Sequence, residues 1–174
     1  MNISNFDNID NAMFLTKVDN IYVMLCTSIM MNDLTRVKHK VSEEIINKYQ
    51  AIVNDCSSKN IRKMYDELNV KSSEITNINE TEEEIIVNVT LISRYMSYYI
   101  DSNGNLISGD NTRAQEHTNY LTLVKKKSSK ELKASRQCPN CGANIDVNKD
   151  GRCQFCGGTF NTEDFDYILT KIED

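Results

Sequence analysis

The chain has 174 residues, 40% hydrophobic and 26% charged, the balance of a soluble globular protein with one main domain and room for a small appendage. Its net charge of −5 runs against a general nucleic-acid binder, whose footprint is strongly basic. The opening MNISNFDNID has neither a basic start nor an apolar stretch, and the uncharged run 21–31 is far shorter than the ~20 apolar residues of a spanning helix, so a cytoplasmic protein is expected.

Residues 10–31 read as an amphipathic helix. Asp10 is placed to cap it, and Ile9 with Phe14 take the positions of a hydrophobic staple. Phe14, Val18, Ile21, Tyr22, Leu25 and Ile29 then recur at three and four, which makes one apolar stripe. A short turn follows from Asn32 and Asp33. Residues 42–56 form a further helix with Ile45, Tyr49, Ile52 and Cys56 on one face, and 61–68 looks like a last short one.

The period changes after that. Residues 72–78 predict an edge strand and 79–82 a turn. Residues 84–100, EIIVNVTLISRYMSYYI, predict a long strand with Ile85, Val87, Val89 and Leu91 on one parity and Ile92, Met96, Tyr98 and Ile100 on the other. That switch predicts a bulge at 91–93 and hence a bent sheet. DSNG at 101–104 signals a hairpin, 106–108 a short return, and 119–125 an interior strand loaded on both faces by Tyr120, Leu121, Leu123 and Val124. Helices followed by an antiparallel meander define an α+β fold, with N-terminal helices packed on a bent antiparallel sheet.

The main domain spans 1–127. It runs into a basic stretch containing Lys125, Lys126, Lys127, Lys130, Lys133 and Arg136 against the single acid Glu131, and 128–137 is the expected linker. Residues 138–174 form the second module, in whose tail Phe165, Tyr167 and Leu169 alternate and predict a closing strand.

The chemistry of that module rests on four cysteines. Cys138 and Cys141 make one CxxC pair and Cys153 and Cys156 the other, with Gly142 and Gly157 permitting a tight knuckle after each. Two knuckles supply the closed tetrahedral thiolate shell of one structural zinc ion. A redox pair lacks its βαβ context, and two disulfides are the alternative in an exported protein. Cys26 and Cys56 fall on apolar helix faces and read as small buried hydrophobes.

FLTKVDNIYVML (14–25), the following NDL (32–34), YMSYYIDSNGNLISGD (95–110) and TLVKKK (122–127) are similar to bacterial proteins carrying the C-terminal domain of subunit forty-four of the mitochondrial inner-membrane import translocase. CPNCGANIDVNKDGRCQFCGG (138–158) and DFDYILTKIED (164–174) resemble the zinc ribbon and tail joined to that domain in such proteins. The resemblance implies a cone-like fold akin to nuclear transport factor two, a bent sheet wrapped over helices around an apolar pocket, and a role in transport or lipid binding at a membrane. The chain departs from the pattern in having no Trp, with Ile29 and Leu121 where aromatics are common, so pocket shape and ligand do not carry over.

The expected function is therefore a non-enzymatic binding module for a lipid or an apolar peptide. Phe14, Val18, Tyr22, Leu25, Ile29, Val87, Val89, Leu91 and Tyr95 are the candidate lining, although stripes of this kind serve equally as plain core. Tyr95, Tyr98 and Tyr99 suit a pocket mouth, apolar in body and polar at the tip. The basic stretch suits an anionic membrane surface, at ~1 kcal/mol per residue, and places the protein at the inner face of the membrane. A protein-interaction scaffold is the alternative. An enzyme would need an acid–base group in the pocket, and only His39, His117 and the 82–84 glutamates offer one.

Overall fold

The computed structural model describes residues 11–127, 141, 155–156 and 167–174. Two helices pack on one face of an antiparallel sheet. The first, α1 (Asn11–Met30), is by length and composition able to cross a membrane, but here it lies on the sheet with its stripe from Phe14 to Ile29 buried. It stops in a left-handed residue, Asn32 at φ 53°: the Asn32 N–H donates to the Ile29 carbonyl and the Asp33 N–H to Ser28, both at 3.0 Å. That pair of bonds satisfies carbonyls which the end of the helix leaves open. The second helix, α2 (Glu43–Ser58), is capped by Ser42, whose Oγ accepts from the Ile45 N–H, and Glu43 and Glu44 complement the positive end of its dipole.

The strands are β1 (Ile61–Glu80), β2 (Glu84–Asp101), β3 (Leu106–Gly109), β4 (Gln115–Lys126) and β5 (Ile168–Glu173), ordered β1-β2-β4-β5, with β3 pairing β2 beyond the end of β4. Gly109 closes β3 at φ +90°, and a Cβ there would stand 2.4 Å from the Ser97 carbonyl oxygen. Only glycine fits so close an approach.

Three expectations change. Residues 61–68 are the start of β1, not a helix. The core side of that strand carries Tyr65, Leu68, Val70, Ile75 and Ile78, spaced by threes as well as twos, because its register slips between Asp66 and Asn69, Val70 and Ser72, and Ile75 and Asn77. At each slip β1 spends one residue more than β2, and Glu67 sits in the first at φ 54°. A bulge turns the alternation of a strand into the spacing of a helix. The second change follows from the first. No bulge interrupts β2 at 91–93: its pairing with β4 is continuous from Glu84 to Tyr95, with Val87, Val89, Leu91 and Ser93 buried on one parity. The irregularity at this point lies in β1, between Val70 and Ser72. Third, β5 is part of the main sheet beside β4, although the tail was expected to belong to the ribbon module.

The far edge of β5 is held as well. The Ser42 N–H donates to the Leu169 carbonyl at 2.9 Å and the Leu169 N–H to that of Lys40 at 3.0 Å. These bonds fix the segment leading into α2 against the sheet. One core results, with α1 on the sheet and Val37, Val41, Ile45 and Val53 closing it from the α2 side. Cys26 and Cys56 are both buried, as expected for small hydrophobes.

Candidate functional site

The lining expected between α1 and β2 is packed solid along most of its length. Leu25, Ile29, Val87, Val89 and Leu91 are at most 1% exposed, and Tyr22 2%. The cleft that flanks α1 is lined by none of these six. The α1 stripe and the odd residues of β2 interdigitate, as close-packed interiors do.

Space opens instead on the flank of α1. Phe14, Val18, Ile21 and Met24 face Leu123 of β4 and Tyr167 across a cleft of about 310 Å³, and Lys17, Asn20 and Lys40 complete its walls. Phe14 and Tyr167 meet edge to face at 5.0 Å between ring centroids, and the Lys125 ammonium lies 5.9 Å from the Tyr167 ring. Of the nine expected lining residues, this cleft uses Phe14 and Val18.

Lys17, Asn20 and Met24 recur at three and four beside the main stripe, and that second row was a visible signal in the sequence. Lys40 had no local signal, and Tyr167 had only the strand alternation of 165–169, which does not point to α1. They come together because β5 pairs with the segment ahead of α2, more than a hundred residues away in the chain.

The other end of the core is polar and aromatic. Tyr22 and Ser93 share a hydroxyl hydrogen bond of 2.8 Å, Tyr22 donates to Asn119 Oδ1 at 3.3 Å, and Asn119 Nδ2 donates to Asp174 Oδ1 at 3.0 Å. Tyr95 is half-buried, stacked on His117 at 4.0 Å and edge-on to Tyr65 at 5.1 Å. Burial pushes Tyr95 and Tyr49 up to about 12, and the Cys26 thiol likewise to about 12. A thiol so protonated is no nucleophile at neutral pH. Burial also holds His117 below its usual value, and its Nε2 is buried with no hydrogen-bond partner among the described residues. The Asp174 carboxylate that approaches this end is bonded to Asn119 rather than to the imidazole. No nucleophile and base are paired here among the described residues.

Tyr98 donates to Asp66 Oδ2 at 2.7 Å and is tied to the sheet surface, and Tyr99 is half-buried. His39 lies ahead of α2, and Glu82 to Glu84 at the β1–β2 turn, where Thr81 accepts from the Glu83 and Glu84 N–H groups. Lys125 and Lys126 end β4, and Lys127 pairs with Glu80. Lys130, Lys133, Arg136, Cys138 and Cys153 lie outside the described residues; Cys141 and Cys156 are exposed.

The Tim44-like domain family matches residues 4–135. The crystal structure of the intermembrane-space region of the chloroplast protein ARC6 aligns with 91% of this chain and 93% of its own, at a TM-score of 0.42 and 6% identity. No curated protein matches the chain significantly.

Proposed function

The chain belongs to the Tim44-like domain family, a membrane-associated, transport-related and non-catalytic kind of domain, and from that premise we propose that it holds a lipid chain or an apolar peptide segment in the cleft between α1 and β4. The observation that carries this reading is the cleft itself. Its walls are the side chains of Phe14, Val18, Ile21, Met24, Leu123 and Tyr167, and its 310 Å³ lies at the small end of ligand pockets, which run from about 300 to 1,000 Å³. That size suits a single chain. Native mass spectrometry of the gently purified protein tests it: bound lipid that disappears when Met24→Trp fills the cleft supports the reading. Apoprotein alone, or lipid retained by the filled variant, overturns it.

Two further parts of the proposal rest on sequence. Lys125, Lys126, Lys127, Lys130, Lys133 and Arg136 dock the protein on an anionic membrane, weakly, since Lys127 already pairs with Glu80. Equal binding to anionic and neutral vesicles at low salt would exclude this. Cys138, Cys141, Cys153 and Cys156 hold one structural zinc ion, because four thiolates are the donor set that zinc prefers in a closed shell. Elemental analysis should find one zinc per chain, lost together with ordered ribbon signals on chelation. Metal-free protein with those signals intact would refute it.

A further inference from the structure

We propose that the chain carries a second site, where its two helices end, for a small zwitterion of the amino-acid class with a polar side chain. A cleft of about 480 Å³ opens there, within the ~300–1,000 Å³ of ligand pockets. Asn32 lines it from the end of α1, Ser57 and Asn60 from the end of α2, and Arg62 from the start of β1. Asp101 and Ser102 close it from the end of β2 and the turn beyond. The α1–β4 cleft shares none of these residues.

Charge decides what this cleft can take. Among the described residues lining it, Arg62 is the one cation and Asp101 the one acid, and the two form no ion pair. They stand on neighbouring rungs, Ile61 opposite Asp101 and Arg62 opposite Ile100, and successive strand residues leave opposite faces. The nearby Lys59 is already paired with Asp55 at 3.0 Å. An anion alone would meet Asp101 and the negative ends of two helix dipoles, and a cation alone would meet Arg62. A zwitterion satisfies both: its carboxylate takes the guanidinium fork, and its ammonium takes the Asp101 carboxylate and the helix ends.

Hydrogen bonding points the same way. Asp101 Oδ1 accepts from the Asn103 and Asn105 N–H groups at 2.9 Å, which holds the carboxylate in place. The side chains of Ser57, Asn60, Arg62 and Ser102 make no hydrogen bond to any described residue. Asn32 Nδ2 donates to the Ile61 carbonyl at 3.1 Å, while its Oδ1 is buried with no partner among the described residues. Buried polar atoms are normally paired, so an orphan in the wall of a cleft marks a place for a ligand's donor. Hydroxyls and amides of this kind suit a side chain such as that of asparagine.

The test titrates the full chain with L-asparagine, its methyl ester, which lacks the carboxylate charge, and its N-acetyl form, which lacks the ammonium. Isothermal titration should show the free amino acid binding at least tenfold tighter than either blocked form, as for hydrogen bonds between charged groups. Arg62→Gln should erase the discrimination against the ester alone. Asp101→Asn, which keeps the acceptor oxygen of the turn, should erase the discrimination against the acetyl form alone, with thermal melts confirming that both variants fold. Met24→Trp, in the α1–β4 cleft, should leave asparagine binding unchanged. Equal binding of the three compounds, or binding of none, overturns the proposal. Discrimination that survives a substitution overturns the role given to that residue, and binding lost in Met24→Trp overturns the location.

Discussion

Leu91→Ala is the sharpest probe of whether the interior beneath the sheet is solid. Leu91 is fully buried on β2, between its register partners Ser73 on β1 and Asn119 on β4, with the α1 stripe over it. Removing three carbons loses about 2.4 kcal/mol of transfer free energy at ~0.8 kcal/mol each. An unrelaxed void of about 60 Å³ adds about 1.4 kcal/mol at ~24 cal/mol per Å³, for a total near 4. With an m-value of about 2 kcal/mol/M, the urea midpoint should fall by about 2 M, followed by circular dichroism on the full chain. A hollow interior would give much less, because a side chain beside open space has fewer contacts to lose. A fall under about 0.5 M, at unchanged m, contradicts the solid core. Should Leu91→Ala fail to fold, Ile29→Val on the facing helix keeps the test, with an expected loss of about 1 kcal/mol.

Thermal stability should decline from about pH 9 to about pH 12. Tyr49, Tyr95 and Cys26 are raised to about 12 in the fold from ordinary values of 10.0 and 9.0, so the folded chain retains protons that the unfolded chain releases across that window. Tyr49→Phe with Tyr95→Phe should flatten the melting temperature against pH, and an alkaline limb unchanged by both would exclude this origin. Gly109→Ala should cost more than Gly104→Ala: both glycines have positive φ, but only at 109 does the added carbon strike backbone. Amide exchange at β3 reports the difference, and equal effects would remove the close approach from the account. Ser42→Ala removes the cap of α2 and should lower stability by about 1 kcal/mol in urea unfolding, and no change would show the cap idle.

Where spacing alone decides structure, the residues spoke clearly. The three-and-four recurrence from Phe14 to Ile29 became the buried stripe of α1, and DSNG at 101–104 became the turn between β2 and β3, with Asp101 accepting from the Asn103 and Asn105 N–H groups at 2.9 Å. The two ends of β1 were opaque for a physical reason. A bulge is a tertiary event, imposed by pairing with β2, and it leaves Tyr65 and Leu68 three apart on the core side of an extended strand. The expected bend at 91–93 instead falls on the β1 side, at the slip between Val70 and Ser72 opposite Ser93 and Ile92. The pocket shows a related limit. An apolar stripe specifies that a surface is covered and not how well the cover fits, so Leu25, Ile29 and Val89 read equally as lining and as filling. The cleft's remaining walls depended on Tyr167 reaching Phe14 by way of β5, a contact no local pattern encodes.

The most direct test of the central claim is a methyl NMR titration of Met-, Leu- and Val-labelled protein with an apolar single-chain ligand. The account predicts shifts at the methyls of Met24, Val18 and Leu123, which line the cleft, with Leu91, Val89 and Leu25 unmoved. Shifts concentrated at Leu91, Val89 and Leu25, or at none of these methyls, would contradict it.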